Sequence, residues 1–394
     1  MEKIRVGFVG AGMIGPIHME NLSRLPNIEI AALASRDQEY ADKNAARLGI
    51  PKAYGKWQDL VADPDIDIVH ITCPNRLHYP IAKACIEADK HVVCDKPLTM
   101  DTAEARELVV MAKAAKVLNA VTFNMGYYPM VQEARKLVAD GDIGDLRMIY
   151  GRYCQDWLAK DTDYNWRVEA EHGGKSRVVA DIGSHWMQMV QMVSGKRITS
   201  VYGDSTIFIP VRKKPLIDMP TFSEQELKPG EYEELKVDTE DHATVMFKFE
   251  GGAKGVMVAF QLNVGRKNRI EWEICGSEKS LSWNGEEANQ LWIGSRTEAN
   301  RLLMKDGSLM NPQSAKYAGY PGGLLEGYGE SWKNIFIEIY EYLKADGPRK
   351  GTPPSFPTFK EGYKIQTIID AILESIDRKQ WVDIDWKSFD SLGA

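Results

Sequence analysis

The stretch VGFVGAGMIG, residues 6–15, decides how the first part of the chain folds. It places Gly10, Gly12 and Gly15 in the spacing G-x-G-x-x-G, between a strand pattern and a helix pattern. In this context Gly10 permits a tight turn, Gly12 lets the backbone approach a pyrophosphate, and Gly15 allows close helix–strand packing. A tight turn without a ligand is the alternative, but the flanking patterns favour dinucleotide binding. We expect Met13 and Ile14, at the helix start, to join the cofactor site because helix N-termini offer free N–H groups to anions.

Strand and helix patterns alternate through the first third of the chain. The runs IRVGFVG, EIAALAS, DIVHITC, KHVVCD and VLNAVTF are typical of strands, and the segments between them have helical periodicity. This alternation predicts an α/β fold with a doubly wound parallel sheet over residues 1–124. Asp101, with Glu104 three residues later, is predicted to cap the helix that follows Pro97.

The pattern changes after residue 124. Runs such as LRMIYGRY, ATVMFKF, RIEWEICG and SLSWN follow one another with turns between them. They predict a second, α+β domain over residues 125–394, with a large, mainly antiparallel open sheet. Helices are predicted at 129–139, 184–193, 330–344 and 359–377, and a surface loop at 210–236.

Composition excludes several classes of protein. The 394 residues are 44% hydrophobic and 27% charged, which is ordinary for a globular protein, and the net charge of -7 argues against nucleic acid as a partner. No run is long enough for a membrane span, and the N-terminus enters a strand pattern without a signal peptide. The five cysteines show no C-x-x-C spacing, so neither disulfides nor a metal site is predicted. We therefore expect a cytoplasmic protein.

The end of the second strand bears on the choice of cofactor. Ser35 lies 20 positions after Gly15, where an NAD site usually has an acidic residue for the ribose. Ser35 and Arg36 instead suit a 2′-phosphate, although Asp37 could still reach the ribose and Arg36 could stack on the adenine. The sequence favours NADP and leaves NAD open.

Two further stretches carry candidate catalytic groups. In VVCDKPL, residues 92–98, a strand delivers Lys96 next to Pro97, at the carboxyl end where ligands of open parallel sheets bind. In VADIGSHWMQMV, residues 179–190, Asp181 and His185 are spaced to share one face of a helix. A carboxylate beside an imidazole is the pairing expected for proton transfer. The alternatives are a solvated lysine at a strand end, and a capped helix start with a core histidine.

These motifs together resemble the Gfo/Idh/MocA oxidoreductases over nearly the whole chain. The resemblance rests on the glycine spacing and on CPNRLHYPIA (73–82), DKP (95–97), FNMGYYP (123–129), DIGSH (181–185), GRKN (265–268), GSEKSLSW (276–283) and PGGLLEGY (321–328). It implies that Lys96, Asp181 and His185 form the catalytic group at the nicotinamide. It also implies that the C-terminal sheet carries the interface of a homo-oligomer, a dimer or a tetramer. The remaining cofactor contacts that it implies are Asn75, His78, Asp95, Lys96 and Asn124.

The resemblance implies an NAD(P)-dependent dehydrogenase that oxidises a secondary hydroxyl of a sugar, glycoside or cyclic polyol, or reduces the corresponding ketone. Aromatic faces pack well on the C–H face of a pyranose, so aromatic residues before DIGSH are candidates for substrate contact, with core roles as the alternative. The expected substrate contacts are Lys96, Tyr153, Trp157, Trp166, Arg167, Asp181 and His185. Two other functions stay open: redox-neutral sugar chemistry with a tightly bound cofactor, and a non-enzymatic regulator that binds the dinucleotide. Lys96 and His185 argue against the regulator, which needs no acid–base pair.

Overall fold

The structure is a computed structural model that describes residues 3–217 and 228–393. These residues form two compact units. Unit 1 comprises residues 3–124, 328–366 and 387–393, and unit 2 comprises residues 125–217, 228–327 and 367–386. The predicted second domain, residues 125–394, differs from this division because two of its segments belong to unit 1.

The elements are numbered in chain order over the described residues. The strands are β1 (Ile4–Val9), β2 (Ile28–Ala34), β3 (Lys52–Tyr54), β4 (Ile68–Ile71), β5 (His91–Cys94), β6 (Asn119–Val121), β7 (Met148–Cys154), β8 (Ile198–Thr206), β9 (Val211–Pro215), β10 (Tyr232–Lys236), β11 (His242–Phe249), β12 (Lys254–Phe260), β13 (Arg269–Cys275), β14 (Lys279–Asn284), β15 (Gln290–Ser295), β16 (Arg301–Met304) and β17 (Val382–Asp383). The helices are α1 (Ile14–Ser23), α2 (Gln38–Leu48), α3 (Trp57–Ala62), α4 (His78–Glu87), α5 (Thr102–Ala115), α6 (Pro129–Ala139), α7 (Ala170–Gly173), α8 (Ser184–Ser194), α9 (Pro312–Ala315), α10 (Tyr328–Lys344), α11 (Gly347–Lys350), α12 (Phe359–Arg378) and α13 (Lys387–Asp390).

The helix predictions agree closely with these bounds. The four helices predicted after residue 124 occur as α6, α8, α10 and α12, each within two residues of its predicted ends. The predicted cap is also confirmed, since the Asp101 side chain accepts a hydrogen bond from the backbone N–H of Glu104 at 2.9 Å. Across 3–217 and 228–393, no helix is both long and apolar enough to cross a membrane.

Unit 1 is built on a six-stranded parallel sheet in the order β3-β2-β1-β4-β5-β6. The central strands are buried on both faces, and Phe8, Val69 and Val93 have no exposed surface. The strand order reverses between β1 and β4, which is the topological switch point where open α/β sheets bind ligands. The predicted doubly wound sheet is confirmed.

Helix α10 belongs to unit 1 through a buried aromatic and histidine cluster. The Tyr340 hydroxyl lies 2.9 Å from Nε2 of His70 on β4, and Nδ1 of His70 lies 3.1 Å from Nδ1 of His18 on α1. The Phe336 ring packs 5.1 Å from the His18 ring. Helical periodicity shows that α10 has an apolar face but not which sheet covers it, so the sequence does not assign this segment to unit 1.

Unit 2 is built on a nine-stranded sheet in the order β16-β15-β14-β13-β7-β12-β11-β8-β17. Its neighbouring strands are antiparallel except for the parallel pair β7 and β12. Helices α6 and α8 pack on one face, where Trp186, Trp272 and Trp283 are almost fully buried. Tyr150 and Met246 point away from this core and stay 40% and 41% exposed. The predicted large, mainly antiparallel sheet is confirmed.

The prediction of a surface loop at 210–236 is wrong at both ends of that range. Strands β9 and β10 pair antiparallel there, with Lys213 opposite Glu234 and Lys214 opposite Glu233. The many charged residues suggested a solvated loop, but they form cross-strand pairs of opposite sign. Residues 218–227 of the predicted loop lie outside the described residues.

Candidate active site

The glycine turn between β1 and α1 has the geometry of a dinucleotide site. Gly10 has a φ of +107°, and a Cβ there would lie 2.6 Å from the backbone oxygen of Thr72. A Cβ at Gly15 would lie 2.4 Å from the Gly10 oxygen, so the close packing of α1 requires glycine. A Cβ at Gly12 would meet nothing within 4 Å, so the backbone there borders open space. The turn therefore fits a pyrophosphate, with Ile14 opening the helix beside it and Met13 42% exposed just before.

The end of β2 presents a guanidinium at the surface. Ser35 donates its backbone N–H to the Tyr54 carbonyl, which ties it to the end of β3. Arg36 pairs with Asp37 at 3.3 Å and lies 4.2 Å above the ring of Tyr40. Asp37 also caps α2 by accepting from the Tyr40 N–H at 2.7 Å. The charge of Arg36 is thus held at the strand end, where the adenine ribose of a dinucleotide binds in this fold.

Lys96 follows β5 in a braced turn. The Lys96–Pro97 peptide bond is cis, and Lys96 is partly buried. The Pro97 carbonyl lies 2.7 Å from Nδ1 of His78, whose Nε2 lies 2.8 Å from the Cys73 carbonyl. Asp95 is buried and accepts a hydrogen bond from the hydroxyl of Thr122 at 3.0 Å. Through these contacts His78 and Asp95 stabilise the turn that contains Lys96. Their contact with a cofactor stays a prediction.

Two asparagines predicted to contact the cofactor are buried in unit 1. Asn75 opens a short 3-10 turn before α4 and is 8% exposed. Asn124 follows β6, and its amide donates to the Ser331 hydroxyl on α10 at 2.9 Å. The Asn124 carbonyl oxygen is buried and has no hydrogen bond within residues 3–217 and 228–393. Buried acceptors without a partner are uncommon in folded proteins, so this oxygen marks an unusual position beside the sheet.

Asp181 and His185 lie at the junction of a π-helical turn, Val179–Gly183, with α8. The expectation that both stand on one regular α-helix is therefore corrected, because Asp181 lies in the wider turn. Its carboxylate accepts from Arg167 Nε at 3.2 Å and from Gln261 Nε2 at 2.8 Å. His185 is 6% exposed, and its ring centroid lies 6.2 Å from that of Tyr153. Short π segments often occur at functional sites.

The segment before this turn is fixed by buried charges. Glu240 accepts hydrogen bonds from the backbone N–H groups of Arg177 and Val179, both at 3.1 Å. The Arg177 guanidinium pairs with Asp241, which also binds Arg212 at 3.0 Å, and all three side chains lack exposed surface. Burial alone would raise the pKa of Asp241, but the two guanidinium groups and backbone N–H groups hold it below its ordinary value. Arg177 is thus a structural cation and is not available to bind an acidic substrate.

The aromatic candidates for substrate contact occupy different environments. Tyr153 is 3% exposed at the end of β7. Trp157 packs against a small buried cluster formed by Leu158, Val168 and Val237. The ring of Trp166 carries the Arg167 guanidinium 4.4 Å from its centroid. Arg167 therefore contacts both the ring of Trp166 and the carboxylate of Asp181.

The structure gathers the predicted residues into two groups, one in each unit. Unit 1 contains Gly10, Gly12, Met13, Ile14, Gly15, Ser35, Arg36, Asn75, His78, Asp95, Lys96 and Asn124. Unit 2 contains Tyr153, Trp157, Trp166, Arg167, Asp181 and His185. Sequence reasoning missed the partner Gln261, which is fully buried. Its signal is a glutamine directly after the alternating strand AKGVMVAF. Residues 3–217 and 228–393 contain no group of three or more His, Cys, Asp or Glu suited to a metal ion.

Two family profiles together match most of the chain. A profile described as an oxidoreductase family with an NAD-binding Rossmann fold matches residues 4–123. A profile described as the GFO/IDH/MocA C-terminal domain matches residues 131–282. The two matches correspond to the parallel sheet of unit 1 and to much of unit 2.

Individual proteins resemble the chain over its full length. Levoglucosan dehydrogenase from Pseudarthrobacter phenanthrenivorans is 30% identical over 404 residues, covering 98% of this chain and 99% of that protein. A structure of levoglucosan dehydrogenase with NADH and L-sorbose has a TM-score of 0.87 at 28% identity, covering 98% of this chain and all of the other. A structure of an inositol dehydrogenase homolog from Azotobacter vinelandii, with NADH and myo-inositol, has a TM-score of 0.85 at 25% identity, covering 97% and 98%.

Proposed function

Because this chain belongs to the Gfo/Idh/MocA family of NAD-binding oxidoreductases, we propose that it oxidises a secondary hydroxyl of a sugar, glycoside or cyclic polyol, or reduces the corresponding ketone. The observation that carries the proposal is similarity, over 98% of the chain, to a dehydrogenase named for a sugar-derived substrate. Two similar structures are complexes with L-sorbose and myo-inositol, which are also polyhydroxylated.

The proposed chemistry assigns one role to each catalytic group. A nicotinamide cofactor held at the glycine turn would supply the hydride acceptor for the oxidative direction. The Lys96 ammonium hydrogen-bonds the reacting oxygen and stabilises its developing alkoxide character. His185 takes the hydroxyl proton, and Asp181 orients and supports its imidazole. The hydrogen bonds from Arg167 and Gln261 support this role, because they fix the Asp181 carboxylate.

The cofactor is proposed to bind at the glycine turn of unit 1. The proposed substrate contacts stay Lys96, Tyr153, Trp157, Trp166, Arg167, Asp181 and His185. Beyond NAD binding, which the family implies, we propose that Ser35 and Arg36 admit NADP and favour it. A guanidinium and a hydroxyl suit a 2′-phosphate, and Arg36 stands at the end of β2 with 57% of its side chain exposed. The similar structures contain NADH, so NAD remains a substrate of the proposed reaction.

The chain is proposed to form a homo-oligomer, a dimer or a tetramer, through the open face of the sheet in unit 2. Exposed apolar side chains on this sheet support the proposal, since exposed apolar patches mark interaction surfaces. They are Tyr150, Met246, Leu302 and Met304, between 40% and 55% exposed. The cytoplasmic location predicted from the sequence stays part of the proposal.

A redox-neutral enzyme that keeps its cofactor bound is the second candidate. It would convert sugar without stoichiometric change in free cofactor. The test is a panel of levoglucosan, L-sorbose, myo-inositol and common pyranoses with NAD, NADP and their reduced forms, followed by nicotinamide absorbance and by product chromatography. A stoichiometric absorbance change supports the dehydrogenase. Sugar conversion without it supports the second candidate, and neither signal with any polyol overturns the proposed function.

A further inference from the structure

A series of hydrogen bonds, each with a defined donor and acceptor, connects side chains of unit 2 near His185. The Trp157 indole N–H donates to the Gln155 side-chain oxygen at 2.8 Å, and the Gln155 amide donates to Asn268 Oδ1 at 2.9 Å. The Tyr153 hydroxyl donates to the same oxygen at 2.7 Å. An indole N–H can only donate, so it fixes the orientation of the Gln155 amide. That amide in turn fixes Asn268 with its oxygen toward Tyr153 and Gln155.

The orientation of Asn268 leaves its amide N–H groups turned away from these donors. Asn268 is partly exposed, and its Nδ2 makes no hydrogen bond with any residue in 3–217 or 228–393. Two N–H donors are therefore presented by a side chain whose other end is held at two points. A side chain that is already fixed loses little rotamer freedom when a ligand binds. Its N–H groups therefore favour ligands that place an acceptor atom opposite them.

The strand register places Asn268 and Gln261 at the same end of three neighbouring strands of the unit 2 sheet, β13, β7 and β12. Cys154, at the end of β7, is opposite both Arg269 at the start of β13 and Phe260 at the end of β12. Asn268 directly precedes Arg269, and Gln261, which binds Asp181, directly follows Phe260.

Tyr153 joins Asn268 to His185 in space. Its hydroxyl donates to Asn268, and its ring lies 6.2 Å from the His185 ring. Asn268 thus stands one aromatic side chain away from the proposed base, which is far enough to contact a different part of the same substrate.

We propose that Asn268 is a specificity-determining residue whose Nδ2 donates a hydrogen bond to a substrate oxygen other than the one that is oxidised. The inference rests on the proposed function and deepens it. It predicts a substrate class with an acceptor oxygen on a second carbon, and Gln155 acts as the positioning residue that keeps the donor of Asn268 facing the ligand.

Substitution Asn268→Asp isolates the donor. Aspartate keeps an oxygen for Tyr153 and Gln155 and replaces the amide nitrogen by a second, negatively charged acceptor. Binding of levoglucosan, myo-inositol and their monofluoro derivatives to the NADH-loaded enzyme is measured by calorimetry. Fluorine accepts a hydrogen bond but cannot donate one. At one ring position we expect fluorine to weaken binding to Asn268→Asp at least tenfold more than binding to the wild type, with unchanged ratios at the other positions. The matched control is Asn284→Asp, since Asn284 caps a short turn through its side-chain oxygen, a role that aspartate also fills.

Gln155→Glu tests the positioning step. A glutamate has no N–H to donate, so Asn268 is expected to turn its amide toward it and its oxygen toward the ligand. This variant should show the same change in fluorine selectivity as Asn268→Asp. If the wild type binds and turns over no polyol, the proposed function fails and the inference with it. If the wild type binds a polyol but Asn268→Asp keeps the wild-type fluorine ratios, the inference alone is overturned.

Discussion

Arg167 donates a hydrogen bond from Nε to Oδ1 of Asp181 at 3.2 Å, and the two side chains are only 18% and 14% exposed. Trp166 stacks under the guanidinium, so the arginine is held from two sides. The arrangement keeps a cation beside the carboxylate that is proposed to support His185. A cation at this distance favours the ionised form of a carboxylic acid.

The first prediction concerns this pair. Arg167→Met removes the cation and the hydrogen bond, so the Asp181 carboxylate should lose its fixed orientation. We expect kcat to fall about tenfold to a hundredfold at pH 7, with a smaller change in KM. The measurement is kcat and KM at pH 7 with the identified substrate.

Lys213→Met is the matched control, because Lys213 forms a solvent-exposed pair with Asp161 in the same unit. Surface pairs contribute little, so this variant should keep the wild-type kcat and KM. A wild-type kcat in Arg167→Met would show that Arg167 supports only the local structure.

The second prediction concerns the acid–base pair. His185→Asn preserves some hydrogen bonding but cannot transfer a proton, and should lower kcat on the order of 10²–10⁴. Lys96→Met should cost on the order of 10²–10³ through lost stabilisation of the oxyanion, with cofactor affinity nearly unchanged. The double variant should lose less than the product of both factors, because the two groups act on one oxygen and its proton.

The measurement is kcat over pH for wild type, both single variants and the double variant. In the wild type the oxidative rate should rise with pH as the imidazole loses its proton. Near-wild-type kcat and pH profile in His185→Asn would transfer the role of base to another residue.

The third prediction concerns the choice of cofactor. If Arg36 binds a 2′-phosphate, Arg36→Ala should weaken NADP by about 1–3 kcal/mol while NAD changes little. Dissociation constants for both cofactors, measured by fluorescence titration, decide the matter. Equal weakening of both cofactors would indicate that Arg36 stacks on the adenine, as it does on Tyr40 in the structure.

The fourth prediction concerns acid stability. Burial lowers the pKa of His18 to about 4, although the charge of Asp95 acts in the opposite direction. In the unfolded chain His18 takes up a proton near pH 6.5, and in the folded chain only near pH 4. The contribution of neutral, buried His18 to stability is therefore fully present above pH 6.5 and is lost as the pH falls toward 4. This one group should cost about 2 kcal/mol of unfolding free energy between pH 7 and pH 5.

His18→Gln should remove that part of the acid sensitivity, whatever it costs at pH 7. The measurement is the difference in unfolding free energy between pH 7 and pH 5, from urea titrations of wild type and variant. The buried His70, whose pKa is also held well below its ordinary value, should retain its own contribution. Equal pH differences in both proteins would contradict the assignment to His18.

Local patterns in the sequence predicted most of the fold. The glycine turn, the Asp101 cap and the bounds of α6, α8, α10 and α12 depend on neighbouring residues, so they were predictable. The assignment of α10 to unit 1 depends on the contact between Tyr340 and His70, which are 270 positions apart. No periodicity carries that information.

For the candidate site, the sequence supplies motifs but not the contacts of their residues. Lys96, Asp181 and His185 belong to recognisable motifs, but the partners of Asp181 come from separate segments. Gln261 is 80 positions from Asp181 in the chain, and it reaches Asp181 because it follows β12, which packs against the π-helical turn. The burial of Arg177 was not predictable either. A segment that contains lysine and arginine suggests a solvent-exposed surface, and the ion pair of Arg177 with the distant Asp241 is visible only in the structure.

The discontinuous make-up of unit 1 has a consequence during synthesis on the ribosome. The six strands of its sheet are complete once residue 121 has emerged, but α10, which supplies Tyr340 and Phe336 to the cluster around His18 and His70, begins only at residue 328. At about 5–20 residues per second, the roughly 200 residues between them take about 10–40 s to translate. For that interval the nascent sheet carries an apolar patch without its covering helix, a state that invites chaperone binding or aggregation. A strong translational pause between residues 124 and 328 should therefore lower the yield of folded protein, whereas the same pause placed after residue 344 should not.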